Sequence, residues 1–137
     1  MYKRQQNKRQ RPYRVKKTGI KDENIDRQIL VLHKAMGLKI LASCQRGDFS
    51  LVEQVTKTLA QRRDEGRMGY GEYLTWTSLL ELVERPDDFM AGLILDDSRM
   101  RKYRRRTPFV GILTEEERQA ALEAEAAGCL TDISVLF

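Results

Sequence analysis

From Ile25 onward, apolar residues recur at three- and four-residue spacing through Ile29, Leu32, Met36, Ile40 and Cys44, the period of a long amphipathic helix with one buried face. Gly47 is placed to end it. Asp48 or Ser50 can cap a second helix, with Ser50 and Glu53 in capping-box spacing. Its buried positions are Leu51, Val52, Val55 and Leu59, and Gly66 is its stop. After a glycine-punctuated loop over 67–71, Tyr73, Leu74, Trp76, Thr77, Leu80 and Val83 predict a third helix, stopped by Pro86. Asp87 and Asp88 suit the start of a fourth, with Phe89, Met90, Leu93 and Ile94 inward.

Asp96, Asp97 and Ser98 then predict a cap for a short fifth helix. On it Met100 and Tyr103 face inward while Arg99, Arg101, Lys102, Arg104, Arg105 and Arg106 fan outward. Thr107-Pro108 interrupts the helix. The apolar run Phe109-Val110-Gly111-Ile112-Leu113 follows, a segment termed the latch below. Thr114 caps a last helix whose Glu115, Glu116 and Glu117 sit at the positive end of its dipole. Leu122 is its main large apolar residue, so this helix is expected at the periphery, closing at Gly128.

No alternating strand pattern, internal repeat or sustained heptad occurs. The fold class is therefore all-α: a compact bundle of five or six helices over 22–127 with a disordered basic N-terminal arm over 1–21 and a C-terminal tail over 128–137. In the arm, Asn7 to Gly19 holds too little apolar surface to offset the entropy of ordering it. Met1 to Gln5 matches the translation of a sequencing-adapter end and is set aside from fold reasoning, as a tag would be. The tail from Thr131 to Phe137 fits either an edge strand or loose docking.

Charge changes this picture more than composition does. A chain of 137 residues with 41% hydrophobic content suits one modest core. Its net charge of +5 is unevenly placed: residues 1–21 hold nine bases and no acid, and 99–106 hold six bases. The body over 22–137 carries 16 bases against 20 acids, so the basic run is a positive patch on an acidic domain. No apolar run approaches the ~18 residues of a membrane span, and the basic N-terminus lacks the apolar centre of a signal peptide. A cytoplasmic protein without membrane association is the expectation.

Candidate chemistry is sparse. His33 is the one histidine, and Cys44 lies about 16 Å further along the same helix at 1.5 Å per residue, so the two cannot act as a dyad. His33 is expected at the core boundary with a satisfied hydrogen bond. Cys44 and Cys129 stand outside any metal or disulfide pattern and read as small apolar residues. Asp87-Asp88 and Asp96-Asp97 fit capping better than a magnesium site. The glycines at 66, 69 and 71 match no phosphate loop. Trp76 is expected in the core, with Tyr70 the most exposed of its neighbouring aromatics. No catalytic set, cofactor or metal is expected.

The basic run supports two readings. Arg99, Arg101, Lys102, Arg104, Arg105 and Arg106 form a phosphate-contacting, salt-sensitive nucleic-acid footprint, or they pair with the body's own acids, Glu115 to Glu117 included. No helix-turn-helix spacing supports base reading, because Ala42 to Gly47 is one residue too long for the turn.

His33-Lys34-Ala35-Met36, Trp76 with Leu79-Leu80, and above all the stretch from Tyr103 to Arg118 resemble a group of small bacterial helical proteins. That group is marked by a basic run followed by (Ser/Thr)-Pro-Phe-x-Gly-x-Leu-(Thr/Ser)-x-Glu-Glu-Arg, and some of its members resemble antitoxins encoded beside a toxin. The likeness spans roughly residues 29–122, with Pro108 to Arg118 its distinctive part and Tyr103 a departure where leucine is expected. It implies a non-enzymatic protein that binds a protein partner, a toxin among the candidates, and brings no catalytic residues with it. Under that reading Phe109 and Ile112 are partner-binding anchors with Arg105 and Arg106 on the rim. The opposing reading folds the latch back onto the core. The alternative is a nucleic-acid or ribosome-associated protein that uses the basic arm over 1–21 together with the run from Arg99 to Arg106.

Overall fold

The computed structural model describes residues 19–127, with side chains from residue 23 onward. The remainder of the arm and the tail from Gly128, Cys129 included, lie outside the described residues. Among those described, the chain is all-helical, in the order α1 (Gly19–Gln45), α2 (Ser50–Asp64), α3 (Tyr70–Leu80), α4 (Pro86–Leu93), α5 (Ser98–Arg105) and α6 (Glu115–Ala126).

Helix α1 is the axis of the bundle and packs against α2, α4, α5 and α6, while α3 bridges α2 and α4. Its periodic apolar residues serve two faces. Met36, Ile40 and Leu41 join Val55, Leu59, Trp76, Leu80, Phe89, Leu93 and Met100 in the main core, where burial of each large side chain contributes about 1.5–3 kcal/mol. Val31 and Ala35 meet Ala121 of α6 in a second cluster. Small residues on both sides let those two helices approach closely, so α6 docks with few large apolar side chains. Its fully buried residue is Ala121, while Leu122 is half-buried.

The ends follow local chemistry, with some shifts from expectation. Helix α1 begins at Gly19, three residues before the change in character at Asp22. Ser50 is already the first residue of α2, so the Ser50–Glu53 capping box does not form; the Asp48 carboxylate accepts from the Ser50 amide at 3.0 Å instead. The third helix stops at Leu80, and Pro86 opens α4, where its missing N–H costs nothing. Asp97 caps α5 by accepting from the Met100 amide at 2.8 Å. Thr114 and Glu117 form a complete reciprocal capping box on α6.

Candidate functional site

The latch is closed. Phe109 and Ile112 are buried in the main core, and the Phe109 ring centroid lies 5.5 Å from that of Trp76 and 5.8 Å from that of His33. The loop's backbone is held as firmly as its side chains. Gln54 donates to the Val110 carbonyl at 2.8 Å, and the Lys39 ammonium donates to the Ile112 carbonyl at 2.8 Å and to Glu117 at 2.7 Å. Gly111 takes φ +72°, a conformation that a side chain would strain. The expectation that Phe109 and Ile112 serve as partner anchors is thereby corrected: a loop whose carbonyls find donors on α1 and α2 can bury its apolar residues without a polar penalty. Val110, at 54% exposure, is the large latch side chain left at the surface.

His33 sits under this loop, fully buried rather than at the boundary. Its Nδ1 lies 2.8 Å from the Ile29 carbonyl, which can only accept a hydrogen bond, so Nδ1 carries the proton and Nε2 accepts from the Thr107 hydroxyl at 2.8 Å. Thr107 Oγ1 in turn accepts from the Phe109 amide at 3.1 Å. Burial lowers the His33 pKa to about 4, with the Arg104 charge acting in the same direction and the Ile29 carbonyl opposing. The imidazole is therefore neutral at neutral pH and acts as a bolt between α1 and the latch. Burial, followed by the charges of Asp48 and Glu84, raises the Cys44 pKa, away from thiolate reactivity.

Four of the six bases in the run face acids of the body, one of them from inside the core. Arg104, expected to fan outward, is 2% exposed. It donates to the carbonyls of Leu93 and Leu95 at 3.1 and 2.8 Å and to Asp96 at 3.3 Å. It thus satisfies the open C-terminal end of α4, which is the physical reason it turns inward. Burial pulls its pKa below the ordinary value, while Asp96 and Asp26 oppose that shift. Arg101 pairs with Asp96 at 2.8 Å, Arg105 with Asp26 at 2.8 Å, and Arg106 with the buried Glu72. Among the described residues the acids paired with the run are Asp96, Asp26 and Glu72 rather than Glu115 to Glu117. Arg99 and Lys102 are exposed and form no ion pair among the described residues.

Two charged residues of this region escaped the sequence reading, Arg104 as a buried group and Glu72 altogether. Both leave a signal in the spacing. Arg104 is four residues after Met100, and Glu72 four before Trp76, so each stands on the inward stripe of its helix.

A different surface is open. Between α3, the turn after it, α4 and α5 runs a groove of about 370 Å³ with Leu74, Leu79, Leu82, Leu95 and Met100 along it and Arg99 on its edge. Gly92 shapes its floor: a Cβ there would meet the Leu79 side chain at 2.7 Å, so glycine lets α4 lie close against α3. Leu74 and Leu95 are 42% and 48% exposed. A wider cleft of about 570 Å³ beside α1 is lined by intermixed charges, among them Glu23, Asp26, Lys34, Arg101 and Glu125. Tyr70 is solvent-facing at the start of α3, and Trp76 is buried.

Among the described residues no three His, Cys, Asp or Glu side chains converge to hold a metal ion, and Asp87 and Asp88 lie in the first turn of α4. No described helix is long and apolar enough to cross a membrane. No family model matches the sequence, and neither the curated proteins nor the solved structures contain a match.

Proposed function

We propose that this chain is a non-enzymatic, antitoxin-like regulator that binds a protein partner, and that the groove between α3 and α5 receives that partner in place of the latch. The observation that carries the reading is the pairing of Leu74 and Leu95, both large, apolar and about half-exposed, on the two sides of one apolar groove. Exposed leucines scattered singly need no explanation, whereas leucines lining a shared concave surface mark a contact site. The polar groups that could have served chemistry are occupied elsewhere: His33 bolts the latch, and Arg104 caps α4.

Nucleic-acid binding through the basic run has less geometric support. Within the run, Arg101, Arg104, Arg105 and Arg106 face acids of the body, and Arg99 and Lys102 are the cations without an ion pair among the described residues. Two such contacts give a salt slope of about −1.8, well short of a tight footprint.

Tagged wild-type protein and Leu95→Asp, expressed in the native host, test the proposal. A stoichiometric protein partner retained by wild type and lost by the variant, at unchanged Tm, is the expected result. Absence of any stable partner, or equal retention by both, overturns it.

A further inference from the structure

We infer that the groove selects an acidic amphipathic helix; the inference rests on the reading that this groove receives a protein partner. Three features of the site point to that occupant.

The first is shape. The groove follows α3 from Leu74 to Leu79, about 7.5 Å at 1.5 Å per residue, and continues to Leu82 in the turn beyond the helix end at Leu80. With that turn, the groove offers room for apolar anchors one and two turns apart on a docking helix.

The second is the nature of the walls. They are helices and the short turns that carry Leu82 and Leu95, with no sheet among the described residues, so an extended segment would find no free sheet edge and gain no ladder of main-chain hydrogen bonds. A helix satisfies its own backbone and brings only side chains.

The third is charge. Of the six bases over 99–106, Arg101 and Arg104 share Asp96, Arg105 pairs with Asp26 and Arg106 with Glu72. Arg99 on the groove edge and Lys102 one turn later on the exposed side of α5 are not paired among the described residues. A Cβ at Gly71 would lie 4.0 Å from the Tyr103 hydroxyl, so α5 adjoins the start of α3, and Arg99 lines the groove beside Met100. Glu81 stands at the opposite end of α3. The unpaired positive charge therefore sits beside the apolar contacts, and carboxylates flanking a leucine stripe complement it. A basic helix would set like charges against Arg99 and Lys102.

The probe is a labelled, helix-stapled three-turn peptide with leucines at i, i+3, i+4 and i+7 and glutamates on both flanks, compared with a twin in which lysine replaces each glutamate. Fluorescence anisotropy with the full chain is expected to show the glutamate peptide binding about tenfold or more tightly than the twin at low salt, a preference that narrows as salt rises. The double variant Arg99→Glu/Lys102→Glu is expected to abolish the preference, and Leu95→Asp to abolish binding of both. Amide shift changes should centre on Leu74, Leu95 and Arg99. Equal affinity for the two peptides, no binding of either, or shifts mapping elsewhere overturns the inference. If the peptides fail while partner capture in the host is still lost in Leu95→Asp, the groove stands as a partner site and only the acidic class is removed. If capture is also unchanged, the partner reading falls as well.

Discussion

The latch and the groove are both apolar surfaces beside the same run of arginines, and the fold treats them in opposite ways. The latch is buried because its backbone has partners. Gln54 and Lys39 donate to the Val110 and Ile112 carbonyls, and Thr107, held by His33, accepts from the Phe109 amide. The groove lies between helices and short turns, none of the described residues is drawn across it, and among those residues Leu74 and Leu95 stay at the surface. Apolar sequence beside basic sequence does not by itself make a docking site. What decides is whether the fold offers hydrogen-bond partners for the intervening backbone.

Substitutions across the two regions sharpen that contrast. Phe109→Ala should remove the ring packed on Trp76 and lower stability by about 3–5 kcal/mol in denaturant unfolding, the largest effect expected of a single truncation here. A surface-like loss below about 1 kcal/mol would mean the latch is open. Acid should act almost as strongly. His33 has a folded pKa of about 4 against an ordinary 6.5. The unfolded chain therefore binds the proton first as pH falls. Stability from neutral His33 is fully present above pH 6.5 and is lost between 6.5 and 4, to a total of about 3 kcal/mol. His33→Gln should flatten the unfolding free energy over that window; an unchanged profile would show that His33 is not the titrating bolt.

Thr107→Val leaves His33 Nε2 and the Phe109 amide without their shared partner and should cost about 1–3 kcal/mol. Leu95→Ala, on the groove, should change stability by no more than about 0.5 kcal/mol while weakening partner capture. A large stability loss there would recast the groove as core.

The helices were legible because their determinants are local. The three- and four-residue period from Ile25 to Cys44, the Thr114–Glu117 box and the Asp97 cap each act within a few residues of one another. The latch was only half legible: its apolar run was plain, but the donors that close it lie about 55 to 75 residues away on α1 and α2. Arg104 was misplaced for a related reason. A guanidinium in a basic run reads as solvent-facing unless the end of α4 is known to lie beside it. The groove was invisible in the sequence, since Leu74 and Leu95 belong to separate elements and acquire a shared surface only through the close approach of α3 and α4 at Gly92.

The most direct test places the photo-crosslinking residue p-benzoylphenylalanine at Leu95 in one protein and at Val110 in another, two exposed positions on the two surfaces, followed by irradiation in the native host. The account predicts a discrete protein adduct from position 95 and none from position 110. An adduct from position 110 with none from 95 would contradict it, returning recognition to the latch.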